Sequence, residues 1–410
     1  MMNRQIQKSI PALCLAALLG AASCTQEEEP SGGGTAFDGG IVFTSPYTLT
    51  RSEAMRYGSF HEGDQVGVLG YSEAYNGTVN VSSSDWNTKK QFCTPELFYN
   101  QPLTYTADGL WTYNWTGTDN VGGLHPWYAD DSYTYAFFAY YPYVAVSGWG
   151  DTRTGTIPFD GSTQNGGMGT IALSGADQTG DPTITYTMPH NGSTTSVTLD
   201  WQRVPDLMLA YNVAHTKAKG AVNLAFRHLF CAFEFKVNNY NTDPVTVSDL
   251  YVSGSNFYKS VTVTGQESGY QIGDDRYSGW FDIASSYAGG TFQCPAGKEI
   301  KDDDGNIIEV RPATVTLTTN GTATAGGDPI DLLFIPNEHG KLTADDNESL
   351  NLHVTIDGYQ RDAAMNLAGA SFEPGVRSVF TINIVGNDIY LQMESDGRWD
   401  EGGDSDISFE

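Results

Sequence analysis

The sequence predicts an all-β protein built from antiparallel strands stacked as sandwiches or barrels. Apolar residues recur with a period of two in many short runs, turn-forming residues close each run, and no helical pattern of a dozen or more residues stands out. Composition agrees: 46 Gly, 23 Tyr, 19 Phe and only 17% charged residues suit turn-rich sheets better than helices laced with ion pairs. The 410 residues allow two or three domains with real hydrophobic cores. Against 21 Lys and Arg stand 49 Asp and Glu, a net charge of −28, which argues against nucleic acid or an anionic surface as a partner.

The first element is a targeting segment. Arg4 and Lys8 precede an apolar run from Ile10 to Leu19, about half the length of roughly 20 residues that crosses a bilayer. Residues 1–23 therefore read as a signal peptide. Its end, Gly20-Ala21-Ala22-Ser23-Cys24, resembles the lipobox of bacterial lipoproteins, which implies cleavage after Ser23 and a lipid on Cys24. Ala21 stands where Leu is more usual, and ordinary secretory cleavage with Cys24 free is the alternative. Residues 24–39 lack apolar periodicity and read as a flexible tether. Its Glu27-Glu28-Glu29 triplet resembles the surface-export signal of Bacteroidota lipoproteins, or else solvates the tether. With Cys14 in the signal and Cys24 lipidated, Cys93, Cys231 and Cys294 remain, an odd number without metal or redox spacing.

The strands follow in order. Val66 and Val68, then Trp111, Tyr113 and Trp115, then Tyr133, Tyr135 and Phe137 alternate in the first half, each strand expected to bury one face and wet the other. Ser147 to Asn191 is polar and rich in turns, and reads as a long excursion. The short polar stretch Ala214 to Gly220 separates two β-like runs and marks the expected boundary, giving an N-terminal domain of residues 40–217 and a C-terminal domain of residues 218–410. Beyond it alternate Val222, Leu224 and Phe226; Leu350, Leu352, Val354 and Ile356; Phe380, Ile382 and Ile384; and Ile389, Leu391 and Met393. Cys231 falls on the apolar face of such a strand, and Asp302 to Asn306 reads as a hairpin tip, since Ile307 stands where a calcium loop needs Gly.

Sequence anchors for catalysis are missing. The seven histidines are scattered, no two at the spacing of a zinc helix, and neither a Gly-x-Ser-x-Gly elbow nor a phosphate-cradling loop occurs. No enzyme activity and no cofactor are expected. Carboxylate pairs are too numerous to single one out. Trp111, Trp115, Trp127 and Tyr128 are the densest candidates for a sugar-stacking platform, although alternating aromatics are more often core.

Read in order, Gly40-Ile41-Val42-Phe43, Thr50-Arg51, the run Ser59 to Tyr71, Leu110 to Tyr113, Tyr133 to Pro142, Asp206 to Ala210, Val222 to His228, Phe372-Glu373-Pro374-Gly375 and Trp399 to Asp404 resemble the fimbrillin-like lipoproteins of the Bacteroidota. That resemblance implies two transthyretin-like antiparallel β-sandwich domains in tandem, and an outer-membrane, surface-exposed precursor that becomes a fimbrial subunit or adhesin. It further implies removal of a first strand, here Gly40 to Thr50 with Ile41, Val42 and Phe43, by a protease cutting after Arg51 or Arg56. A strand from a neighbouring subunit then fills the groove, and Ile389, Leu391 and Met393 are candidates for the donor. The implied partners are other pilus subunits or copies of itself, the outer membrane through lipid on Cys24, and a host or glycan ligand. The acidic, Gly-rich tail from Asp396 to Glu410 makes a tip, anchor or accessory role a rival to the shaft. A surface glycan-binding lipoprotein is the alternative, and a secreted hydrolase the third reading.

Overall fold

A computed structural model describes most of residues 39–398. Residues 1–38, 46–59, 74–94, 147–151, 159–166, 175–182, 265–281, 325–331, 335–341, 344–350 and 399–410, with some other short stretches, lie outside the described residues. The described chain is all-β, with strands in several sheets and helical content of a single 3-10 turn, Lys217–Lys219.

Among the described residues two sheets have eight strands each, and one of them positions the site. From one edge to the other its strands are Val222–Asn223, Phe43–Thr44, Leu110–Thr112, Phe98–Tyr105, Gln65–Glu73, Thr134–Tyr141, Met208–His215 and Arg227–His228. Laid flat at ~4.8 Å per step, its outer strands would stand about 34 Å apart. Yet Asn223 and Arg227, one on each outer strand, are joined by three residues, a span of at most about 14 Å. The sheet must therefore curl until its edges meet, and the Asn212 side-chain amide donates to the Asn223 carbonyl across the seam at 3.0 Å. Leu224 and Phe226, on the linking residues, are buried in the core that the curled sheet encloses.

The expectation of one wet face fails in the central strand Thr134–Tyr141, where six consecutive residues are buried. Tyr135, Phe137 and Ala139 join the enclosed core, while Ala136, Phe138 and Tyr140 join a second core with Phe233, Phe235, Val261, Ile382 and Ile384. Residues from the second half of the chain cover the sheet's outer face, so neither side of this strand meets water.

The stretch read as an excursion holds three paired strands. Thr152–Thr156, Thr170–Ser174 and Thr183–Thr187 form an antiparallel meander, and Thr183–Thr187 pairs with Val245–Thr264. Each of the last two of these offers only two buried apolar residues, Ile171 and Leu173 or Ile184 and Tyr186, too few for periodicity to stand out. The 3-10 turn lies at the expected boundary, and ladders join residues on its two sides. Phe43–Thr44 pairs with Val222–Asn223, and Met208–His215 with Arg227–His228. Among the described strands two pairings are parallel, Phe43–Thr44 with Val222–Asn223 and Cys231–Asn239 with Val376–Val385, and the long intervening chain supplies the crossover that such pairs require. The strands Gly297–Lys301 and Ile307–Pro312 pair antiparallel, as a hairpin requires, with the tip outside the described residues.

One buried polar knot ties the sheet to the loop that follows its central strand. Asn100 sits at φ 49°, a left-handed conformation that Asn tolerates better than most residues. Its amide donates to the Val144 carbonyl at 2.8 Å, and its oxygen accepts from the Tyr140 hydroxyl at 2.7 Å. Asn100→Ala would leave both partners buried without this bond. It is expected to lower the unfolding free energy by about 2–4 kcal/mol in urea titrations, against about 1–2 for Tyr140→Phe.

Candidate functional site

The feature with the clearest functional geometry is residues 39–45. Ile41 and Phe43 alternate inward and are fully buried, whereas Val42 and Thr44 are half-buried, as a strand between two neighbours requires. Phe43–Thr44 lies antiparallel to Leu110–Thr112, with Phe43 opposite Trp111, and parallel to Val222–Asn223, with Phe43 opposite Val222. It is thus wedged one place in from the sheet edge, and among the described strands it is the ladder partner of Val222–Asn223.

Hydrogen bonds run along the whole segment. The Ile41 amide donates to the His125 carbonyl at 2.8 Å, and the Trp127 amide donates to the Gly39 carbonyl at 2.9 Å. The Val222 and Leu224 amides donate to the Val42 and Thr44 carbonyls at 2.7 and 2.9 Å. Tyr113 adds a side-chain latch: its hydroxyl donates to the Ile41 carbonyl at 2.8 Å and accepts from the His125 amide at 3.1 Å. Burial pushes the Tyr113 phenol far above the ordinary tyrosine value, with the His125 hydrogen bond opposing, so the latch keeps its proton through the neutral range. His125 is held in turn by its Nδ1, which donates to the Pro126 carbonyl at 2.8 Å because a carbonyl only accepts.

Phe43 supplies the apolar anchor. Its ring meets Phe98 at 5.6 Å, Phe137 at 5.4 Å and Tyr113 at 5.9 Å between centroids, all edge to face. Burying Ile41 and Phe43 contributes roughly 1.5–3 kcal/mol each. Without the segment, a lined apolar slot and a row of unpaired backbone groups remain, the two features that recruit a strand from elsewhere.

The sequence-predicted residues distribute as follows. Ile41, Val42 and Phe43 lie in this segment. Cys24, Arg51 and Arg56 lie outside the described residues. Ile389, Leu391 and Met393 belong to the strand Asp388–Arg398, an edge strand paired along its length with Val376–Val385. Ile389 and Leu391 are half-buried and pack against the second core. The sugar-platform reading is corrected for Trp111, which is buried inside the enclosed core against Phe60, Tyr105 and Phe226 and has no free face for a sugar. Trp115, Trp127 and Tyr128 are half-buried and packed on the same core, Trp127 stacked with His215 at 5.5 Å. Sequence reading missed Tyr113, Leu124 and His125 as slot residues. Tyr113 showed only as one of three alternating aromatics, and the other two sit in a loop without periodicity.

A family model described as fimbrillin-like matches residues 50–395. The fimbrium subunit Fim1C of Phocaeicola vulgatus is 25% identical over 359 residues, which span 80% of this chain and 82% of that protein. The fold is similar to a crystal structure of a fimbrial protein from Bacteroides vulgatus ATCC 8482, with a TM-score of 0.52 at 20% identity, covering 88% of this chain and 100% of that one.

Proposed function

Because the chain belongs to the fimbrillin-like family, we propose that it serves at the cell surface as a fimbrial subunit or adhesin that joins its neighbours by strand replacement at residues 39–45. The observation that carries this is the position of Phe43–Thr44 between Leu110–Thr112 and Val222–Asn223, paired on both sides and anchored by the fully buried Phe43. Its loss would expose the slot and unpair the outer strand, and an incoming strand would restore both. The role is structural and adhesive, not catalytic.

The N-terminal expectations fit one mechanism. Cys24, the lipid-bearing residue of an outer-membrane precursor, and the slot strand both precede Arg51 and Arg56 in the sequence. One cut after either Arg would therefore sever the membrane anchor and the slot strand from the body together. The body would then be held only by the noncovalent contacts of residues 39–45, until a neighbour's strand replaced them. The buried state of Trp111 disfavours the glycan-platform alternative.

Intact-mass measurement of protein taken from outer membranes tests this. A chain starting at Cys24 with added lipid is expected before processing, and one starting at Ser52 or Tyr57 after it. With Arg51→Ala and Arg56→Ala combined, the chain is expected to stay lipid-linked and unassembled. Unchanged assembly of that variant would overturn the reading.

A further inference from the structure

We infer that the slot selects its incoming strand at the position of Gly40, and that this selection rejects the C-terminal strands of a second copy in favour of a different polypeptide carrying Gly, a large aliphatic residue, any residue and an aromatic in that order. The inference rests on the strand-replacement reading above. A Cβ placed at Gly40 would lie 2.6 Å from Leu124 Cβ and 2.8 Å from its Cδ1. Neither is a distance that packed carbons tolerate. Gly40 is absent from the positive-φ residues, so glycine is needed there for space; Gly39, at φ +93° with nothing near its missing Cβ, is needed for conformation.

Leu124 cannot easily give way. The Val121 and Leu124 amides and carbonyls bond each other reciprocally at 3.0 Å, closing a tight turn over Gly122 and Gly123, both at positive φ. Gly123 is tied on both sides: its carbonyl accepts from the Trp115 amide at 2.7 Å, and its amide donates to the Asn120 side chain at 2.9 Å. The next residue, His125, is bonded to Ile41 and Tyr113. Lifting Leu124 would strain this whole lattice, so the clash falls on the incoming strand.

The strand must also place an aliphatic side chain where Ile41 sits and an aromatic where Phe43 sits. In this sequence, Ile407-Ser408-Phe409 repeats that spacing, but Asp406 stands at the glycine position. Ile389-Tyr390-Leu391 is likewise preceded by Asp388, and its own strand is already paired with Val376–Val385. A carboxylate beside Leu124 adds the cost of burying a charge to the steric one. Both C-terminal candidates therefore fail at the same place.

The test uses the full chain with a site-specific protease sequence built at Arg51, cut so that the N-terminal piece stays in place. Labelled peptides are then offered: residues 38–46 in native form, the same with Gly40→Ala or Gly40→Asp, and residues 404–410 in native form or with Asp406→Gly. The native 38–46 peptide is expected to exchange in, and its Gly40→Asp form to bind about 10- to 100-fold more weakly. The 404–410 peptide is expected to gain binding only with Asp406→Gly. In a Leu124→Gly chain, the Gly40→Ala peptide should bind as well as the native one. If no peptide enters, the native one included, strand replacement itself fails. If the Gly40 forms bind equally, or the unmodified 404–410 peptide binds, selection at Gly40 is overturned.

Discussion

Replacing Phe43 by alanine is expected to lower the unfolding free energy by about 3–5 kcal/mol, measured by urea denaturation of the full chain. The side chain is fully buried and three aromatic rings meet it edge to face, so truncation removes both transfer free energy and packing. The neighbouring substitution Val42→Ala is expected to cost less than about 1.5 kcal/mol, because Val42 is only half-buried and its bond to Val222 uses the backbone. The loss should also appear locally. Proteolysis of Phe43→Ala is expected to cut near residues 39–45 well before the global transition, since its anchor is gone while the rest of the enclosed core persists. Equal losses at positions 42 and 43 would show that the segment is not held by an inward-facing anchor.

The second large effect is alkaline. The Tyr140 and Tyr186 hydroxyls are buried and donate to the Asn100 side chain and the Met168 carbonyl. Burial pushes both phenols well above the ordinary value of 10.0. The unfolded chain therefore loses these protons first, and above pH 10 it binds fewer protons than the folded chain. Stability is fully present below pH 10 and falls as pH rises toward and through the folded-state values. Each phenol contributes about 1.4 kcal/mol per pH unit over that window, so the pair makes the slope about 3 kcal/mol per unit. Urea midpoints between pH 8 and 12, with tyrosinate absorbance followed alongside, should show these two residues ionising only as the β signal disappears. Tyr186→Phe is expected to flatten the slope by about half of the pair's share.

The first strand, expected over Gly40 to Thr50, was legible through the resemblance to the fimbrillin-like family and not through alternation, because Ile41 and Phe43 are too short a run to stand out. The all-β class was legible because period-two alternation and turn signals repeat along the chain. The meander at residues 152–187 was not, because threonines and glycines carry it and each strand shows few apolar residues. Trp111 shows what alternation leaves open between core and platform. Alternation showed that it shares a face with Tyr113 and Trp115, but not that the sheet curls over that face and seals Trp111 inside.

Sequence alone determined the all-β class, which side chains of the alternating runs point the same way, and which family the order of its motifs resembles. Tertiary structure alone decided that residues 43–44 slide between strands some 70 and 180 positions away, and that Gly40 is needed for the space beside Leu124. The physical reason is range: alternation is a property of neighbouring residues in one chain segment. Pairing and steric fit depend instead on which distant segments the closing sheet brings within a few ångströms.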